Sequence, residues 1–161
     1  LDMYVCYGPR TVTGTFGIAL LSRFPIHDPR TFFMYSEGEQ TASIEARIEA
    51  GGTMYTILVT HLGNGGPMIQ QQQVLARLAG KPNVIAMGDF NFDPYSEQYA
   101  LTTQTLVDAW ALAGSPVTPG LKERLIDHVF VSPELPVIAA RYIVSEASDH
   151  PGLVVEIETR P

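Results

Sequence analysis

Four short polar groups stand beside apolar runs: His61 after Thr-Ile-Leu-Val-Thr, Gly88-Asp89-Phe90-Asn91 after Asn-Val-Ile-Ala-Met, Asp127-His128 within Leu-Ile-Asp-His-Val-Phe-Val, and Ser148-Asp149-His150 ahead of Pro-Gly-Leu-Val-Val. Their types suit a hard cation plus acid–base chemistry. Carboxylate and amide oxygens ligate Mg²⁺ or Mn²⁺, while histidines carry protons and meet phosphate oxygens. With one cysteine and no His-x-x-x-His pair, the sequence offers no structural or protease-type zinc site.

Each group also has a plainer reading. Ser-Asp-His reads as a turn or cap, Gly-Asp-Phe-Asn as an Asx turn, and His61 as a core histidine satisfied by backbone. Asp127 is harder to dismiss. Inside an otherwise apolar strand an unpaired charge is costly, so it calls for a partner or a metal nearby. The four groups together, each tied to a strand, point to one shared site, because a scaffold presents side chains where its strands end.

The elements that must position them follow from periodicity. Residues 14–23 and 31–35 read as strands. Residues 43–50 alternate Ile44, Ala46 and Ile48 against Glu45, Arg47 and Glu49, and Gly51-Gly52 turns this strand into its partner at 53–60. Pro67 suits the first turn of a helix over 68–79 whose apolar stripe is Val74, Leu75 and Leu78, with the glutamines at 70–73 on its polar face. Further strands are expected at 83–87, 125–132, 137–144 and 153–157, with short helices at 93–102 and 105–113. Trp110 in the last of these reads as packing.

The chain has 161 residues, 45% of them apolar and 17% charged, enough for one domain with a real core. No apolar run reaches the roughly 18 residues of a membrane helix, and a lone cysteine, Cys6, excludes an intrachain disulfide. Ten Lys and Arg stand against 17 Asp and Glu, and none of the basic residues cluster. That argues against a binder that grips nucleic acid through phosphate neutralisation, but not against an enzyme whose cation supplies the positive charge. The compartment is left open, and a first residue that is leucine suggests a piece of a longer chain.

The order of Ile-Ala-Leu-Leu-Ser-Arg-Phe-Pro-Ile, Thr-His61-Leu-Gly, Gly-Asp89-Phe-Asn91, Leu-Ile-Asp127-His-Val-Phe-Val-Ser-Pro and Ser-Asp149-His150 resembles the endonuclease/exonuclease/phosphatase family, the DNase I-like metal-dependent phosphoesterases. The resemblance runs from about Gly14 to Ile157. It implies an α+β fold, a two-sheet β-sandwich flanked by helices, in a single domain over residues 1–161 that is N-terminally incomplete. Carried over, Asp89 activates the attacking water and contacts metal, Asn91 binds the phosphate and orients Asp89, and His150 acts as general acid/base or stabilises the phosphorane. Asp127 orients His150, Asp149 is a metal-side carboxylate, and His61 contacts the phosphate and protonates the leaving group. Family members also carry an asparagine on the first strand and a metal-ligating glutamate on the next, which belong before Leu1.

Implied with these are Mg²⁺ or Mn²⁺ as cofactor and a phosphodiester or phosphomonoester as substrate, with nucleic acid and phospholipid both open. Self-association through an exposed sheet edge is expected where strands are missing. Two alternatives stand beside this: a non-catalytic interaction module that kept the fold, and a membrane-anchored enzyme acting on a lipid or inositol phosphate. Arg10, Arg23 and Asn64 are weaker candidates for phosphate or leaving-group contact.

Overall fold

The computed structural model describes residues 2–11, 14–37, 40–121 and 125–159. Its centre is a six-stranded sheet in the order β3-β4-β5-β6-β8-β7, formed by Ile26–Phe33, Ala42–Ala50, Thr53–His61, Val84–Asp89, Asp127–Val131 and Val107–Asp108. Two antiparallel ribbons complete the strands: β1 with β2 (Tyr4–Thr11 and Gly14–Ser22), and β9 with β10 (Val137–Ile143 and Gly152–Ile157). Helices α1 (Met68–Leu78), α2 (Glu97–Thr102) and α3 (Ala109–Leu112) lie between strands in the chain. No helix among the described residues is long and apolar enough to cross a membrane.

Both faces of the large sheet are covered, and the period of two decides which side chain goes where. Leu58, Val84, Ala86 and Phe130 join Val74 and Leu78 of α1 in one core. Ile57, Val129 and Val131, with Ile85 and Met87 beside them, join Leu20 of β2 and Leu153 and Val155 of β10 in the other. The expected sandwich is thus present with a divided second layer. Its two ribbons share one core, yet each forms its own two-stranded sheet.

The hairpin at Gly51-Gly52 forms as expected, with φ of 57° and 75° at the two glycines, which suits the type I′ geometry favoured between antiparallel strands. One strand has no counterpart in the sequence reading, and two readings need correction. Tyr4–Thr11 is a strand; its register shifts between Gly8 and Arg10, and a bulge is where a strand tolerates proline. Residues 107–108 are a strand and only 109–112 are helical, because Asp108 caps α3 by accepting from the N–H groups of Trp110 (2.8 Å) and Ala111 (3.3 Å). Finally, Gln70 and Gln71 are buried, so the glutamine run is not a solvated face. Trp110 does pack, edge-on against Tyr142.

Candidate active site

The pairing register builds the site. In the parallel pair β5–β6, His61 stands opposite Asp89; in the antiparallel pair β6–β8, Asp89 stands opposite Asp127. The three have the same parity as Ile57, Met87 and Val129, so they form one row on the ribbon-side face. Asp127 opens β8 rather than lying inside it, which places its carboxylate at the rim of the apolar layer. His150 arrives from the turn before β10, on the same side of the sheet.

Distances within the cluster are short. His150 Nδ1 meets Asp127 Oδ2 at 2.7 Å and Asp89 Oδ2 at 3.9 Å, and His61 Nε2 lies 3.5 Å from Asp89 Oδ2. The side chain of His61 is 48% exposed, which excludes the core-histidine reading, while those of Asp89 and Asp127 are only 18% and 23% exposed. Asp127 is anchored further by Tyr142, whose hydroxyl donates to its backbone carbonyl at 2.8 Å.

The two loop motifs are turns and site at once. Asp89 Oδ1 accepts the backbone N–H of Asn91 at 2.8 Å, closing an Asx turn, and Asn91 adopts a φ of 54°, which asparagine tolerates better than most residues. That turn fixes the Asp89 carboxylate and leaves Oδ2 toward the histidines. Asn91 Nδ2 donates to the carbonyl of Leu62 at 2.9 Å, tying this loop to the one after His61. Likewise the His150 N–H donates to Ser148 Oγ at 3.1 Å.

Burial pushes the Asp127 carboxyl up, and the charge of Asp89 adds to this, against the pull of His150. The hydrogen bond to Asp127 raises His150, outweighing its slight burial, and the negative charges of Asp127, Asp89 and Asp149 act in the same direction. An attractive pair alone would lower the aspartate; here desolvation prevails. As a pair the two groups retain a proton to higher pH than an isolated histidine would.

Asp89, Asp127 and His150 each offer a ligand atom within 4.8 Å of the others. Asp149 does not join them. The tight turn that aims His150 at Asp127 leaves Asp149 exposed, bordering a separate hollow with Gly120 and Val144. It reaches the site through its charge on His150 rather than as part of the cluster. Asn64 lines a cleft beside His61 and Asn91, Arg23 is exposed, and the side chain of Arg10 lies outside the described residues.

The sequence reading missed how Asp127 and His128 divide. Opposite parity sends His128 to the helix side, stacked on Phe92 and edge-on to Phe90. Its Nδ1 faces Asp108 Oδ2 at 3.3 Å and its Nε2 faces the carbonyl of Phe92 at 2.9 Å. The loop bearing Asn91 is thereby held from behind. The sequence signal was the same alternation that places Val129 and Phe130 on opposite faces.

Comparison with known proteins bears on the family and the fold. The family described as "PGAP2IP, C-terminal nuclease-like domain" matches residues 1–106. The protein Cwh43 of Schizosaccharomyces pombe is 38% identical over 64 residues, covering 39% of this chain and 7% of that protein's length, so the match touches a small part of that relative. Among solved structures, the human nocturnin catalytic domain superposes with a TM-score of 0.78 at 21% identity, over 99% of this chain and 73% of that one. A conserved protein of unknown function from Enterococcus faecalis gives 0.81 at 17% identity, over 98% and 77%. A mannosyl-6-phosphatase from Bacteroides thetaiotaomicron gives 0.67 at 20% identity, over 87% and 70%. These last likenesses establish the fold, and the family match over two-thirds of the chain establishes kinship. The chain belongs to the PGAP2IP C-terminal nuclease-like domain family, within the endonuclease/exonuclease/phosphatase (DNase I-like) superfamily.

Proposed function

We propose that the protein hydrolyses a phosphodiester or phosphomonoester by attack of water, using Mg²⁺ or Mn²⁺. The observation that carries this reading is the row of His61, Asp89 and Asp127 with His150 hydrogen-bonded across it. The donor set fits a hard cation, being two carboxylates and one imidazole. Asp127 and His150 spend their nearest atoms on each other, so Asp89 is the ligand the cluster has to offer. When bound, the cation would supply charge neutralisation and polarise a phosphoryl oxygen.

The chain's own groups account for the rest. Asp89, held by its turn, orients the attacking water and accepts its proton. His150, kept protonated by Asp127, donates to an oxygen of the phosphoryl group as negative charge builds there. His61, half exposed on the other side of Asp89, delivers a proton to the departing alcohol. Asn91, with one amide hydrogen given to the Leu62 carbonyl, offers the other to the phosphate, and Asp149 strengthens the hold of His150 on its proton.

We also read residues 1–161 as the C-terminal portion of a larger domain. The two separate ribbons, and neighbours of which about a quarter lies outside the match, support a further strand that joins the ribbons and adds a carboxylate to the cation site.

The test is metal dependence in the intact protein. Hydrolysis of p-nitrophenyl phosphate and bis-p-nitrophenyl phosphate is expected to stop with a chelator and return with Mg²⁺ or Mn²⁺. Absence of turnover with any divalent cation would leave the non-catalytic module as the reading.

A further inference from the structure

Next to the catalytic row a cleft of about 460 Å³ opens between the loop after His61 and the segment that follows β3. Its two walls are tied together by a device that catalysis itself does not require. Gln70 of α1, only 1% exposed, accepts the N–H of Gly63 at 2.8 Å and donates to the carbonyl of Tyr35 at 2.7 Å. Gln73, one turn along, accepts the N–H of Tyr35 at 2.9 Å. Both backbone groups of Tyr35 are therefore held by glutamines of one helix, and this fixes the wall that carries Glu37.

The lining has a definite chemistry. Tyr35 donates its hydroxyl to Glu37 Oε1 at 3.0 Å, which orients the carboxylate and leaves its second oxygen as an acceptor. Thr41 borders the cleft, is 3% exposed, and its hydroxyl has no partner among the described residues. Asn64 adds an amide from the facing loop, and among the described lining residues none is Lys or Arg. An occupant that donates and accepts hydrogen bonds satisfies Glu37 and Asn64 together. A second anionic group would face Glu37 with no cation to offset it.

Building on the phosphoesterase reading above, we propose that this cleft is the subsite for the alcohol part of the ester, and that it selects an alcohol that bears hydroxyl groups and no second anionic group. Esters whose alcohol carries another anionic group, including the neighbouring phosphates of nucleic acid, are disfavoured there. The cleft adjoins His61, so the alcohol it holds is the one that His61 protonates.

Two esters separate this from its alternatives. Glycerol 1-phosphate and 3-phosphoglycerate share a skeleton and differ in a terminal hydroxymethyl group or carboxylate. Calorimetric titration of the intact protein should show glycerol 1-phosphate binding about tenfold tighter or more, and Glu37→Gln should bring the two affinities close together. Equal affinity in the wild type, an unchanged ratio in Glu37→Gln, or binding of neither ester overturns the subsite. Phosphate release from the same esters and from p-nitrophenyl phosphate reports separately on the reaction. Discrimination in binding without turnover of any ester would fault the hydrolase reading and leave the subsite standing. Turnover of p-nitrophenyl phosphate without discrimination would do the reverse.

Discussion

Adding one methyl group at Gly88 should open the site at its seam. Gly88 precedes Asp89 on β6, has a φ of 141°, and a β-carbon there would lie 1.9 Å from the carbonyl oxygen of Thr60 on β5. Real β-carbons stay at least 3.0 Å from such an atom, so Gly88→Ala must push β6 away from β5. Thr60 and Gly88 are register partners, as are His61 and Asp89, so the same separation parts the 3.5 Å contact of the catalytic row. A displacement of about 1 Å in reacting groups costs ~100-fold in rate. The disfavoured φ for a residue with a side chain adds roughly 1–3 kcal/mol of instability, equivalent to a melting temperature lower by roughly 2–12 °C. Gly152→Ala is the control, since a β-carbon there meets nothing within 4 Å. Steady-state kinetics on p-nitrophenyl phosphate and thermal melts should show Gly88→Ala impaired on both counts and Gly152→Ala near wild type. If the two variants behave alike, the spacing of β5 and β6 does not set the site.

Asp127→Asn keeps the shape but removes the carboxylate that holds the His150 proton, so the His150 pKa, followed by NMR, should fall toward the ordinary value near 6.5. The sign follows from the raised folded value: stabilisation from His150 is full below the unfolded pKa and lost as pH rises through the folded one. The variant should therefore lose the basic limb of its activity at lower pH, and an unmoved titration would deny the pairing. Asp108→Ala leaves His128 buried without its partner and should cost about 3–5 kcal/mol in denaturant unfolding. Burial raises the Asp108 carboxyl, but the hydrogen bond and charge of His128 prevail and lower it overall. Its stabilisation is thus present above the unfolded value of 3.8 and lost as pH falls through the folded one, and the melting curves of wild type and variant should converge in acid. The apolar surface of Tyr4, Tyr7 and Leu21 on one ribbon and Ile138 and Ile143 on the other should drive self-association visible by light scattering, and a strict monomer at high concentration would contradict it.

Much of this was legible in the residues. Alternation gave β4, β5 and β8, paired glycines gave the hairpin, and Val74, Leu75 and Leu78 gave the buried stripe of α1, because each signal is local. What failed was also local but ambiguous. Residues 4–11 carry no clear alternation around Gly8-Pro9, and Asp108 looks like a helix interior residue although its carboxylate caps α3. The buried glutamines could not be foreseen, since their partners Gly63, Tyr35 and Thr102 are distant in the chain. At the site, residue types marked His61, Asp89, Asn91, Asp127 and His150, but the row depends on register. Sequence does not state that β5 and β6 run parallel or that Asp127 faces Asp89. The same limit hid the separation of Asp127 from His128 and the outward position of Asp149.

Asp89 and His150 are the two residues on which the proposed hydrolysis most depends. Initial rates on bis-p-nitrophenyl phosphate, in Mg²⁺ or Mn²⁺, should be measured for the intact protein and for Asp89→Asn and His150→Ala, with melting curves to confirm that both variants are folded. Asp89→Asn keeps the size of the side chain and removes the carboxylate proposed to orient water. His150→Ala removes the proposed proton donor. Each folded variant is expected to lose ~100-fold or more in turnover. Wild-type rates in both would contradict the assignment of this row as the catalytic centre.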